Sequence, residues 1–281
     1  MSNAGLWRRL ESRLSHMIDG FAGVAGASVK DLSSGDGVSV RGDEQFPTAS
    51  TIKIHVLTQL LSRAERGELD LGKRIRLTPE MFGAGSGVIH YMENEPELSL
   101  LDIATLMIIV SDNTATNMCI DLAGIEGTNE LLNKMGLKAT KLRRKMMDSD
   151  AIQRGDENVS TPNDLVEMLT LLHSGKPSSK VADQVLHIIG KPKSAPINRG
   201  VPSGLVVANK PGGMERVRCD AGIVFLEKNP YALSIMTNFG LEDGVKQEAF
   251  IVGVVKEIHQ TMVAIDSTNE FGLGVPKYTS R

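Results

Sequence analysis

The sequence predicts a mixed α/β (α+β) protein: a five-stranded antiparallel sheet flanked by N- and C-terminal helices, with an all-helical domain inserted into it. Three observations lead there. β-rich runs occur near the two ends of the 281-residue chain, helical periodicity fills its middle, and amphipathic helices open and close it.

In residues 6–21, Leu6, Leu10, Leu14 and Met17 recur at helical spacing among charges, which makes an amphipathic helix. Residues 24–30 and 38–41 are β-rich runs around the turn Ser33-Ser34-Gly35-Asp36-Gly37, a hairpin pattern. Ile54, Leu57, Leu60, Leu61 and Ala64 mark a helix beginning near Ser50 and ending at Gly67. Residues 99–122 form a long apolar stretch interrupted at Ser111-Asp112-Asn113, and further helices follow over 127–135, 162–173 and 179–189. Thr161-Pro162 and Lys176-Pro177 are starts of the kind proline permits in a first helical turn. Strands are expected over 205–209, 222–226 and 232–236, with turns at Gly212-Gly213 and Lys228-Asn229-Pro230, before a last helix over 245–263. Residues 1–54 and 195–281 are thus expected to build one discontinuous domain and 55–194 a helical one, with the active site in the cleft between them.

Composition narrows the function. A net charge of −3 and 11 aromatic residues (7 Phe, 3 Tyr, 1 Trp) provide neither the basic footprint nor the stacking platforms of a nucleic-acid binder. The longest apolar candidate, residues 98–110, carries Asp102 and falls short of the roughly 18 residues a membrane helix needs, so no membrane association is expected. Two cysteines 100 residues apart, Cys119 and Cys219, and six histidines without an HExxH pattern imply no disulfide framework, metal or cofactor. Cys119 reads as core; Cys219 is expected to be partly exposed near the cleft, with no base beside it. The 13 methionines read as core fillers. The N-terminus lacks the apolar core of a signal peptide, so the chain as written is expected in the cytoplasm. Ser2-Asn3-Ala4 resembles a cloning remnant, and a removed leader would place the protein in the periplasm or outside the cell.

Three short motifs bear on chemistry. Ser50-Thr-Ile-Lys53 opens a helix, where residues three apart share a face, so an amine stands beside a hydroxyl. A serine needs such a base to act as nucleophile, and a desolvated lysine can be one. Ser111-Asp112-Asn113 interrupts an apolar run: it reads as a helix cap, or as a proton relay at Ser111 with a substrate-binding Asn113. Lys210-Pro211-Gly212-Gly213 reads as a turn with a solvated lysine, or as an anion-binding lysine followed by a Gly213 N–H aimed into a site.

In this order and at separations of about 60 and 100 residues, the motifs resemble the Ser-x-x-Lys, Ser-Asp-Asn and Lys-Thr-Gly elements of class A β-lactamases and penicillin-binding proteins. The flanks Phe46-Pro-Thr-Ala-Ser-Thr-Ile-Lys53, Leu61-Ser-Arg-Ala-Glu-Arg-Gly67, Leu71-Gly-Lys-Arg-Ile75 and Met135-Gly136 through Thr140-Lys-Leu142 continue the likeness, which covers roughly residues 5 to 265. The resemblance implies a serine hydrolase that forms an acyl-enzyme on Ser50, acting on a small-molecule cyclic or linear amide such as a β-lactam. Lys53 would be base or relay, Ser111 would protonate the leaving nitrogen, and the N–H groups of Ser50 and Gly213 would form an oxyanion hole. Lys210 would orient Ser111 and the substrate carboxylate, with Asn113 also binding substrate.

Two departures stand out. Where class A enzymes carry the deacylating glutamate, an ungapped match places Met146, a thioether that takes no proton; Asp148, two residues on, is the expected substitute, with Glu157 farther along the loop. Pro211 replaces the threonine of Lys-Thr-Gly, which removes a hydroxyl and an N–H from the strand edge. Arg218 is then the expected carboxylate partner, and Arg216 a solvated turn residue. These departures leave open a related amidase, peptidase or esterase, or a penicillin-binding, sensor-like protein that acylates without efficient deacylation.

Overall fold

The structure, a computed structural model, describes residues 3–269 and 271–274; Met1 and Ser2, the latter part of the Ser2-Asn3-Ala4 run, lie outside these. Helix α1 (Ala4–Asp19) buries Trp7, Leu10, Leu14 and Ile18. The stripe is rotated from the expected Leu6-Leu10-Leu14-Met17, because the 3-4-4 spacing that starts at Trp7 turns the large indole inward. Burying side chains of this size is worth about 1.5–3 kcal/mol each. Strands β1 (Val24–Asp31) and β2 (Gly37–Val40) form the expected hairpin, with Ala27 opposite Val40 and Lys30 opposite Gly37.

The short β3 (Phe46–Pro47) leads into a 3-10 turn (Ala49–Ile52) and then α2 (Lys53–Glu65). Next come β4 (Arg74–Arg76), β5 (Glu97–Ser99), α3 (Leu100–Ile109), α4 (Asn113–Ala123), α5 (Ile125–Lys134) and the short α6 (Ser149–Gln153). β6 (Val159–Ser160) pairs antiparallel with β3, so a loop from the middle of the chain is clamped beside Ser50. α7 (Pro162–His173) starts on Pro162 with Thr161 capping it, as expected. α8 (Ser179–Ile189) does not start on Pro177: Ser178, one residue later, accepts the Val181 N–H and caps it.

After α9 (Pro196–Gly200) the chain forms β7 (Val206–Met214), β8 (Val217–Phe225) and β9 (Tyr231–Asn238), and ends in α10 (Gly244–Asp266). Gly212-Gly213 is not a turn. β7 runs through both glycines, and the reversal falls at Glu215-Arg216, where Arg216 adopts a φ of 60°. The sheet has the order β2-β1-β9-β8-β7, antiparallel throughout, so the first hairpin closes against the last strand and β7 is left as an edge.

Alternation along the strands sends side chains to two cores. Leu233, Ile235 and Val29 face α1 and α10, whereas Ala208, Cys219, Ala221 and Met236 face the helices between β3 and β7. α2 is buried around its whole circumference, from Lys53 through Ser62. Among the described residues, no helix is long and apolar enough to cross a membrane.

Candidate active site

Ser50 sits in the tight turn that feeds α2. Thr48, wholly buried, fixes that turn: its N–H donates to the Asn158 carbonyl (2.9 Å), and its own carbonyl accepts from Thr51 N (3.0 Å), Thr51 Oγ1 (2.8 Å) and Cys219 Sγ (3.0 Å). Ala49 takes a φ of 43°, which turns the chain so that Ser50 faces the cleft half-exposed while Lys53 points into the protein. Cys219 is therefore not partly exposed. Its thiol is sealed behind the turn, and burial pushes it up to about 12.

The break between α3 and α4 supplies the second wall. Ser111 has a φ of 56°, which aims its hydroxyl at Ser50 rather than along the helix. The cap of α4 is Asp112: one carboxylate oxygen accepts from Ala115 N (2.9 Å), the other from Val88 N (2.7 Å) and Ile89 N (2.8 Å). Gly87, at φ 129°, passes so close to that carboxylate that a Cβ has no room. The loop so held carries Ser86, whose carbonyl accepts from Asn113 N (2.9 Å), and Ala84, whose carbonyl accepts from Asn113 Nδ2 (3.0 Å).

Around Ser111 the three motifs meet. Lys53 Nζ donates to the Ser111 carbonyl (2.9 Å), to Ser111 Oγ (2.9 Å) and to Asn113 Oδ1 (3.2 Å). Lys210 Nζ donates to Ser111 Oγ (3.2 Å) and the Pro211 carbonyl (2.8 Å). Ser111 Oγ in turn donates to Ser50 Oγ (2.9 Å). The amine of Lys53 thus reaches Ser50 through Ser111. Burial, and secondly the charge of Lys210, holds Lys53 well below the usual lysine range, against a smaller opposing effect of Asp112. Burial also lowers Lys210, to about 8.

β7 provides the third wall. Pro211 lies opposite Asp220 in the ladder, and a proline has no N–H to give, so its nitrogen belongs on the open side of this edge strand. N–H groups alternate along a strand, which sends the exposed Gly213 N–H to that same open side. Gly212 packs directly on the Ser50 turn: a Cβ there would stand 2.8 Å from Ser50 N and 2.9 Å from the Thr48 carbonyl. Ser50, Ser111, Lys210, Pro211, Gly213 and Arg218 line one cleft of about 230 Å³. Arg218 is only partly free. Its Nη1 donates to the carbonyls of Met214 and Val217, and Nε lies 3.7 Å from Glu248, which also pairs with Arg199. Arg216 is exposed in the turn, as expected.

A second lobe of about 140 Å³ opens on the other side of Ser50, lined by Met146, Met147, Ile152, Met214, Asn113 and Glu157 among others. Three of the methionines therefore line the site rather than fill core. Asp148 lines neither lobe: its carboxylate accepts from Ala151 N (3.0 Å) and caps α6. The carboxylate that lines the second lobe is Glu157, held by Arg144 Nη2 at 2.6 and 2.9 Å. Sequence reasoning missed Asp112 as the anchor of the 84–89 loop, Ser86 on the rim, and Arg144 as the partner of Glu157. Only Asp112 carried a signal, as the middle residue of a motif whose cap reading was assigned to no particular residue.

With this geometry in view, the model of the β-lactamase enzyme family matches residues 9–262. The β-lactamase AER-1 of Aeromonas hydrophila is 28% identical over 192 residues, 66% of this chain; the match spans 63% of that enzyme's length. The structure of a β-lactamase from Sphaerobacter thermophilus superposes with a TM-score of 0.85 at 28% identity, covering 92% of this chain and 98% of that one. A mutant of PBP-A, solved as an acyl-enzyme complex with penicillin G, gives 0.80 at 27% identity, over 92% and 96% of the two chains.

Proposed function

The chain belongs to the β-lactamase enzyme family, and from that premise we propose that it is a serine hydrolase that opens the amide bond of β-lactams through an acyl-enzyme on Ser50. The observation that carries this reading is the Lys53–Ser111–Ser50 chain of hydrogen bonds, which ties a desolvated amine to a half-exposed hydroxyl.

In the first half-reaction Ser50 Oγ attacks the lactam carbonyl carbon. Its proton passes through Ser111 to the neutral amine of Lys53, and negative charge gathers on the carbonyl oxygen between the N–H groups of Ser50 and Gly213. The C–N bond then breaks, and Ser111 returns a proton to the departing nitrogen. Lys210, in contact with Ser111 at the cleft wall, attracts the substrate carboxylate, and Arg218 at the mouth adds to the field. Pro211 offers that carboxylate no hydroxyl, so the lysine carries more of its recognition. The substrate's acyl side chain lies toward the 140 Å³ lobe, where methionines suit an apolar group.

In the second half-reaction water attacks the ester, and the acid is released from Ser50. Met146 takes no proton, Asp148 is spent on a helix cap and Glu157 is held by Arg144, so Lys53 serves as base in both steps. The test is hydrolysis of benzylpenicillin and a cephalosporin, followed by loss of lactam absorbance. Wild type is expected to turn them over and Ser50→Ala to be silent; equal turnover by the two would overturn the reading.

A further inference from the structure

Asp220 is a buried titratable group with no task in the scheme above. It lies on β8 opposite Pro211 and is wholly buried. Its carboxylate accepts from Ile197 N on α9 (2.9 Å) and from Asn209 Nδ2 (3.0 and 3.1 Å). Among the described residues no cation touches it. Lys53 and Lys210 present the converse: both amino groups are buried, and both donate only to neutral oxygens. A buried charge is costly unless an opposite one compensates it, and charges one strand apart still interact strongly where water is excluded.

The groups facing Lys210 come from three directions. Lys53 lies on α2, Cys219 and Asp220 on β8, and Lys193 on the segment after α8. Lys193 is a cation tied to the carbonyls of Ile189 (2.6 Å) and Lys191 (2.8 Å), and the Cys219 thiol stays neutral. Asp112, the other buried acid nearby, acts on Lys53 from the start of α4. That leaves one carboxylate for Lys210, Asp220, which also acts on Lys193.

We infer that Asp220 is the counter-charge of Lys210, a positioning residue that acts from the neighbouring strand β8 and the other face of the sheet to keep the Lys210 ammonium charged beside Ser111 without itself touching substrate. Strand alternation supports the division of labour: Ala208 and Cys219 turn toward the helices with Lys210, whereas Asp220, opposite Pro211, turns toward α9. The electrostatics agree. Burial pulls Lys210 down to about 8 while Asp220 pulls it back up, and burial raises Asp220 to about 6.

The test follows the Lys210 side chain by ¹³Cε NMR, assigned with Lys210→Arg, through a pH titration. Asp220→Asn is expected to lower the Lys210 midpoint by about one pH unit or more. Lys210→Gln is expected to raise the Asp220 carboxyl midpoint by a similar amount, since such coupling is reciprocal. An unmoved Lys210 midpoint in folded Asp220→Asn overturns the inference; if that variant does not fold, an unmoved Asp220 midpoint in Lys210→Gln overturns it. A kinetic arm rests on the proposed function: the alkaline limb of the acylation rate should move to lower pH in Asp220→Asn. A limb that stays in place while the rate merely drops would mark Asp220 as structural. The NMR arms need no substrate, so failure to acylate would count against the function and not against this pairing.

Discussion

At the residue scale, burial is what makes two lysines chemically different from solvated ones. Lys53 is useful as a base only when neutral, and its depressed pKa extends that condition toward neutral pH. Lys210 is useful to an anionic substrate only when charged, and its value of about 8 ends that condition on the alkaline side. The acylation rate is therefore expected to rise with pH as Lys53 loses its proton and to fall above about pH 8 as Lys210 loses its own. Rates from pH 5 to 10 check this; an alkaline plateau would remove Lys210's charge from the account. Gly212 is the other decisive residue. An alanine Cβ there would press on Ser50 N, and Gly212→Ala is expected to slow acylation by about 100-fold or more, as the loss of one oxyanion donor does. Stopped-flow acylation measures it.

These residues differ in how far the sequence reveals them. Ser50, Lys53, Ser111, Asn113 and Lys210 lie in short motifs whose spacing says something about their relation, and the structure brings all five together. Asp148 and Glu157 lie nine residues apart on one loop. Which of them lines the lobe depends on where α6 starts, and Asp148 is consumed as its cap. Asp220 gives no local signal, because its relation to Lys210 runs through strand pairing. Gly212-Gly213 has turn composition, but its place in β7 follows from the ladder with β8.

At the element scale, three pieces hold the cleft: the turn before α2, the break before α4 and the edge strand β7. The 140–160 loop is tied to them by β3–β6 pairing, by Asn158 and by the Arg144–Glu157 pair. Arg144 is almost wholly buried, so cutting the pair strands a polar group. Glu157→Ala is expected to lower unfolding stability by roughly 2–3 kcal/mol and to loosen the wall carrying Met146. Urea denaturation measures the first and proteolysis within 145–156 the second. An unchanged midpoint would show that the loop is held by its backbone alone. The longer helices and the first hairpin were legible from periodicity, whereas the five-residue α6 and α9 were not. β3, β4, β5 and β6, two or three residues each, were not, since strands that short carry no alternation.

At the scale of the whole molecule, the cleft exists because both chain ends complete one sheet while the intervening helices pack on its face. Lys53 and Lys210 are 157 positions apart in sequence (210 minus 53) and share Ser111 as a partner. The order of elements made this arrangement readable before any distance was known. The register that buries Asp220 and exposes Gly213 was not, because it is set by pairing between strands.

The central claim is that Ser50 is a nucleophile that forms and then clears an acyl-enzyme. An intact-mass time course with benzylpenicillin, on wild type and Ser50→Ala, tests it most directly. The account predicts a single adduct of one penicilloyl group on wild type, located at Ser50, that decays as hydrolysed product appears, and none on Ser50→Ala. An adduct of equal size on Ser50→Ala, or no adduct and no product with wild type, would contradict it.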